Sequence, residues 1–435
     1  MIEALKAIGL PEQLPDGWRA QPIKQLYEVE LGKMLQSEAS SPSDIRRPYL
    51  RAANVTTSGV DVRDVREMWF SLGDWQRVQL SAGDLLISEG GDVGRPAIWH
   101  GELSECGIQN ALNRARPSGP LSNQYLLYVL TSLRAQGAIA VVCNKATIPH
   151  YTAEKVGATR IPVPPRDVAE AIVTYLDSET ARIDALIDRK RRFIDLLLEK
   201  RSALVTHAVT QGANPEARTK SSPLEWFAPA VPSHWQKRRL KHLLCERVEL
   251  VEDGRLSELL SVFAAVGIRP RAEMPDVGNK AVTSEGYKQV RAGDLVVNKM
   301  LAWMGALGLS DYDGVTSPAY SVYSVSPSAS GEYLHLLLRT DLYQSEFRRR
   351  ASGIMPMRWT VVPSVFLDTP AILPPVEEQL ATVAWLRAQT AQLDGLASMT
   401  RTSVDLLREY RAALISAAVS GQIDIPGIDA SEAAS

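Results

Sequence analysis

Only three cysteines occur in the 435 residues, Cys106, Cys143 and Cys245. Their odd number and irregular spacing exclude a disulfide framework and fit reduced thiols. No run approaches the ~18 apolar residues of a membrane span. The first residues, MIEALKAIGLPEQLPDGW, carry acids and prolines where a secretory signal needs a basic start and an apolar core. A cytoplasmic protein without membrane association is expected. The six histidines show no zinc-ligand spacing with a second ligand pair, not even His234 and His242 beside Cys245. No GxxxxGK[ST] loop occurs, so no ATP site is indicated. Gly90, Gly91 and Gly94 in SEGGDVGR are too weak a pattern to mark a phosphate loop. No catalytic, cofactor-binding or metal-binding residue is assigned.

A surplus of one charge is also missing. Lys and Arg total 48 against 50 Asp and Glu, a net charge of −2. A nucleic-acid partner would therefore need a local basic surface rather than a basic total. Three clusters offer one: Arg46-Arg47 with Arg51, Lys237-Arg238-Arg239 with Lys241, and Arg348-Arg349-Arg350.

What the chain does contain is one long pattern written twice. PPRDVAEAIVTYLDSETARIDALIDRKRRFIDLLLEKRSALVTHAVTQG starts at Pro164, and PPVEEQLATVAWLRAQTAQLDGLASMTRTSVDLLREYRAALISAAVSGQ starts at Pro374. They align without a gap, and about two positions in five are identical, among them Thr180/Thr390, Asp184/Asp394, Glu199/Glu409 and Arg201/Arg411. The period is far longer than the ~20–50 residues of a solenoid repeat, so the molecule consists of two similar halves.

Each copy reads as a long helix. Leu176, Ile183, Lys190, Leu197 and Leu204 fall seven apart, as do Leu386, Leu393, Thr400, Leu407 and Leu414. Ile187, Ile194, Arg201 and Ala208 form a second row beside the first seam. Such heptads suit coiled-coil packing, with one polar rung per seam, Lys190 or Thr400, to set register. The proline pairs precede the helices, and Gly212 and Gly421 lie where a C-terminal stop belongs. Roughly 45 helical residues at ~1.5 Å each give a rod near ~65 Å. Neither stripe can be hidden alone, and pseudo-two-fold symmetry favours an antiparallel pair.

The segments before the helices are related more weakly. LPDGW matches VPSHW, SAGDLLIS matches RAGDLVVN, and YLLYVLTSL loosely matches YLHLLLRTDL. GDLLIS, IAVVC (139–143), GDLVV and YSVYSV read as strands, and YLLYVLTSLRAQG and YLHLLLRTDLYQSEF as helices. Between these landmarks the two segments diverge. The expected fold class is α+β: two mixed α/β domains separated by two long helices that pack as an antiparallel coiled coil, in a pseudo-two-fold tandem repeat. The divisions are 1–163, first domain; 164–212, first helix; 213–373, linker and second domain; 374–421, second helix; and 422–435, a disordered tail.

These residues carry a resemblance. The alternation of parts, the helix start Pro374-Pro375-Val376-Glu377-Glu378-Gln379, the stretch Thr180 to Asp184, the exit Glu199 to Leu204, the P-x-x-W openings and the A-G-D-L stretches resemble the specificity subunit of type I restriction–modification systems. The likeness covers nearly the whole chain. It departs at the first helix start, where Val168 and Ala169 replace the Glu378-Gln379 pair.

The resemblance implies two target recognition domains, each reading half of a bipartite, asymmetric site in double-stranded DNA. It implies helices that set the unread spacer and dock two modification subunits, and a larger complex with restriction subunits. S-adenosylmethionine, ATP and magnesium are then expected on the partners, and this chain binds no cofactor and does no chemistry. The absence of an Asn/Asp-Pro-Pro-aromatic motif agrees, since the only Pro-Pro pairs are VPPR and LPPV. The outer helix faces with Arg189, Arg191, Arg192 and Lys200 are expected to dock partners. The DNA-contact candidates are chosen by residue type: Arg46, Arg47, Arg51, Asn54 and Lys145 in the first domain, and Asn298, Lys299, Arg348, Arg349 and Arg350 in the second. Two other readings stay open: a coiled-coil assembly scaffold without DNA reading, and a self-contained DNA methyltransferase.

Overall fold

The computed structural model describes residues 14–143, 149–251, 258–264, 266–274, 286–353 and 359–425. The fold is α+β. Contacts divide the chain into two units, Met1–Arg191 with Thr402–Ser435, and Arg192–Arg401. This division cuts across the sequence-based one, because each unit takes a head and a part of both long helices.

The long helices are Arg166–Gln211 and Val376–Val419. Asp167, and Glu377 with Glu378, occupy the first turns, where carboxylates meet the positive end of the helix dipole. Gly212 and Gly421 follow the helix ends at φ 90° and 69°, a conformation that favours glycine. In the first unit, Ile172 lies by Ala418 and Asp184 pairs with Arg411, so the two helix segments run antiparallel. In the second unit, Arg201 pairs with Asp394, while Ala208 shares a core with Leu386, again antiparallel.

Seam residues Leu176, Ile183, Leu197, Leu386 and Leu414 are buried, and Leu204, Leu393 and Leu407 are half-buried. Lys190 and Thr400 are half-buried, and the Thr400 hydroxyl donates to its own helix at Leu396 O, 2.7 Å away. Among the described residues no helix is long and apolar enough to cross a membrane.

Each head is built on the same four-stranded antiparallel sheet. In the first unit its order is Tyr27–Leu31, Leu112–Pro117, Leu85–Ser88, Pro96–Ile98; in the second it is Leu244–Arg247, Tyr320–Val325, Leu295–Asn298, Leu307–Leu309. The Ala-Gly-Asp stretches make the same turn into the third strand. The buried Asp84 accepts from Ser81 N at 2.8 Å, and the buried Asp294 accepts from Arg291 N at 2.9 Å. A helix capped by serine closes on each sheet, Asn123–Ala135 behind Ser122 and Gly331–Leu338 behind Ser330.

The heads differ in what is inserted. The first adds a three-stranded sheet, Arg66–Phe70 with Ile45–Leu50 and Gly107–Ile108, over a separate core of Phe70, Trp75 and Trp99. The second adds two small ladders, Leu260–Phe263 with Gly267–Pro270 and Lys288–Val290 with Gly314–Thr316.

Three expectations change. IAVVC is not a strand but most of the helix Ala138–Cys143, which buries Ile139 and Cys143 and exposes Val141. A short apolar run fits either element, and here Gly137 at φ 75° turns the chain into a second helix. YLHLLLRTDLYQSEF is two helices, Gly331–Leu338 and Asp341–Arg350, broken where the Thr340 hydroxyl bonds back to Leu337 O at 2.8 Å. Of the expected tail 422–435, only residues 422–425 are described, and there Ile425 is in the first core with Ile423 packed against it.

Candidate nucleic-acid interface

The candidate residues divide sharply by environment. In the first head, Arg46 and Arg47 sit on the strand Ile45–Leu50. Arg46 is exposed and paired with Glu67 at 3.1 Å. Arg47 pairs with Glu105 at 2.9 Å and lies 5.9 Å from the Trp75 ring centroid. Both remain at the surface of the inserted sheet. Arg51 is drawn inward, with its guanidinium on the Asp64 carboxylate at 2.6 Å and the Asp64 carbonyl at 3.0 Å. Asn54 is buried. Its Oδ1 accepts from Arg51 N, and its amide donates to Asp61 O and Asp64 O. The candidate Asn54 is therefore corrected to a loop anchor, because a buried amide bonded on both ends has nothing left to offer a base edge. Lys145 lies outside the described residues.

In the second head, Asn298 ends the strand Leu295–Asn298, buried, with Oδ1 accepting from Met300 N at 3.1 Å. Lys299 follows it, half-buried. The triple-arginine run does not form one basic patch. Arg348 lies over the Trp303 ring at 5.1 Å, while Arg349 and Arg350 both grip Glu346, at 2.7 and 2.5 Å. The Glu346 side chain has 0% exposure. Burial alone would push its carboxyl up, but the two arginines hold it below the usual range. The structure thus brings together Asn298 and Lys299, and separately Arg348, Arg349 and Arg350.

Sequence reasoning missed a cavity of about 360 Å³ beside Asn298, lined also by Phe263, Arg271, Tyr287, Ser317 and Tyr320. Lys288 lies close by, bonded to Tyr320 O at 2.8 Å, with its ammonium lowered by burial and by Lys299. Arg271 and Lys288 stand apart in sequence, so no run of basic letters announced them.

The two helix starts are held differently. In the second unit Glu378 accepts from the Trp235 indole at 3.0 Å and faces His234 at 2.5 Å. Gln379 is buried, accepting from Ser330 N and donating to Pro374 O. In the first unit the matching Val168 and Ala169 are buried in the apolar core, with Trp18 packed against it. A polar bracket in one half is replaced by hydrophobic packing in the other. On the outer helix faces, Arg191 pairs with Asp188, Arg189 donates to Ala185 O, and Arg192 and Lys200 are exposed.

No group of three or more His, Cys, Asp or Glu that could hold a metal occurs among the described residues.

No family model matches the chain. Its sequence is similar to the type I restriction enzyme EcoBI specificity subunit of Escherichia coli, 21% identical over 310 residues and covering 66% of this chain. The match spans 63% of the length of that curated relative. Among solved structures, a chain from work on complex assembly and conformational transition of the type I R-M system aligns with a TM-score of 0.62 at 16% identity, over 95% of this chain and 100% of the other. The HsdS subunit from Thermoanaerobacter tengcongensis aligns at a TM-score of 0.49 and 17% identity, over 95% and 99%. The chain is thus similar in sequence to a type I specificity subunit, and it shares its fold over nearly its whole length with a chain of a type I R-M system.

Proposed function

We propose that this chain reads a bipartite DNA site, one half with each head, and does no chemistry of its own. The observation that carries the reading is one sheet frame used twice with different insertions. A constant frame with divergent inserts suits two recognition surfaces of different sequence preference. The candidate contacts left at the surface, Arg46 and Arg47 in the first head and Arg348 and Arg349 in the second, are arginines, which suit phosphates and guanine edges.

In this reading the long helices keep the unread spacer constant and present a repeated surface to two modification subunits. Methyl transfer to adenine, with S-adenosylmethionine, and ATP-driven restriction with magnesium are then the work of partners.

The test is co-expression with a modification subunit, followed by mapping of methylated adenines by long-read sequencing. A two-part motif with a fixed gap, dependent on this chain, is the expected result. Methylation that ignores this chain, or a partner complex that binds DNA without sequence preference, would overturn the reading in favour of a coiled-coil scaffold. Methyl transfer by the purified chain alone would make it an enzyme.

A further inference from the structure

The second unit contains a cleft of about 620 Å³ between the first long helix and the second head. A water molecule's share of the liquid is only ~30 Å³, so the cleft admits a sizeable group. Its walls are Arg201, Ser202 and Thr206 from the helix and Arg269, His335, Arg339 and Thr340 from the head. Arg339 already donates to Gly305 O, Leu307 O and Ala264 O, and the Thr340 hydroxyl to Leu337 O, so the donors turned to the space are Arg269, His335, Ser202 and Thr206. The one carboxylate in the lining is Asp394, already held by Arg201 at 2.9 Å. The contacts of the Arg269 guanidinium are uncharged: Tyr312 Oη at 3.3 Å and Ile268 O at 3.5 Å.

His335 adds a donor with a fixed direction. Its Nδ1 accepts from Leu309 N at 3.0 Å, so in the neutral ring the hydrogen sits on Nε2. Burial, with Arg339 and Arg269 alongside, keeps the ring neutral by holding its pKa down at about 4. The position is built rather than incidental: a Cβ on Gly308 would come within 3.0 Å of His335 Nδ1, and one on Gly267 within 3.3 Å of its Cε1.

Among the described residues the matching place in the first unit is arranged differently. The repeat sets Ser416 where Thr206 stands, and the head helices set Ser132 where Thr340 stands. There the hydroxyls bond each other at 3.1 Å, and Gln136 also donates to Ser416. In the second unit the Thr340 hydroxyl instead turns back to Leu337 O, and both threonines line an open cleft.

We propose that this cleft binds a backbone phosphate of DNA beside the half-site read by the second head, with Arg269 as the positioning residue. The inference rests on the DNA-reading function proposed above. Guanidinium, imidazole N–H and hydroxyl donors around a half-enclosed space are the groups that contact phosphate oxygens, and such contacts fix orientation without reading sequence. A phosphate held between helix and head would lock the angle at which that head meets its half-site.

The test uses the complex of the full chain with its modification subunit. DNA affinity is measured by fluorescence anisotropy across a salt series for wild type, Arg269→Gln, Arg269→Lys and Thr206→Val. Arg269→Gln should weaken binding about tenfold and reduce the log–log salt slope by about one, while the methylated motif stays the same. Arg269→Lys should keep the slope, and Thr206→Val should weaken binding without changing it. A sequence-selective wild-type complex whose salt slope is untouched by Arg269→Gln would overturn the inference and leave DNA reading intact. Loss of sequence selectivity in the wild type would instead sink the DNA reading itself. Two further results would reassign the cleft: loss of the modification subunit from Arg269→Gln at unchanged intrinsic affinity would mean protein docking. Inorganic phosphate that binds through Arg269, by ³¹P line broadening, without competing with DNA would mean a free-phosphate site.

Discussion

Glu346 shows how little a run of like charges says by itself. Arg348, Arg349 and Arg350 read as a basic patch, yet two of them neutralise a carboxylate with no solvent exposure. Removing one partner of a buried pair leaves an uncompensated charge, at a cost of about 3 kcal/mol. Arg350→Ala alone leaves Arg349 on Glu346 and should cost about 1 kcal/mol, so a loss of about 3 kcal/mol is expected only when Arg349 and Arg350 are both replaced by alanine, whereas Arg348→Ala should leave stability nearly unchanged in chemical denaturation. His335 makes a second residue-scale prediction. Its folded pKa of about 4 lies below the usual value of 6.5, so as pH falls the unfolded chain takes up the proton first. Stability should be full above pH ~6.5 and decline toward pH ~4, by up to about 3 kcal/mol. In His335→Gln this part of the pH dependence should vanish, as read from denaturation curves at pH 7 and pH 5.

At the scale of elements, the long helices are held by related contacts. Arg201 and Arg411 occupy the same place in the two repeats, as do Asp184 and Asp394. Each arginine pairs with the aspartate of the other copy, at 2.9 Å in one unit and 3.0 Å in the other. These pairs are largely solvated, so each contributes at most about 1 kcal/mol; their service is to fix register. Gly395 is the weak point of the second helix. It lies in the interior of Val376–Val419, and a Cβ there would meet nothing within 4 Å. Gly395→Ala should stabilise the chain by about 0.8–1 kcal/mol in denaturation experiments. A loss of stability would mean that the glycine has a packing role in the isolated chain. The seam itself was legible because a seven-residue spacing survives without any tertiary knowledge. The run IAVVC was not, because five apolar letters fit a strand or a buried helix equally, and Gly137 with the close packing of Ile139 on Gly94 decided it.

At the scale of the whole molecule, the heads share a frame and differ in their inserts, so specificity should be modular. Replacing residues 213–373 with the matching segment of a related specificity subunit should change one half of the methylated motif and leave the other half unchanged. Long-read mapping of methylated adenine checks this, and simultaneous change of both halves would count against one head per half-site.

The sequence by itself determined the repeat, the helix limits and the sheet landmarks, because proline, glycine and periodic leucine act locally. It also carried the specificity-subunit likeness. The candidate contacts were only partly legible. Arg46 and Arg47 stay at the surface, whereas Asn54 is buried and bonded, and two of the three arginines of the run are engaged by Glu346. Tertiary structure alone decided that Arg201, Arg269, His335 and Arg339 share one cleft, and that the matching place in the first unit is closed by Ser132 and Ser416. Sequence records which donors exist. Whether a donor meets an acceptor of its own chain or an open space depends on what distant residues the fold brings beside it.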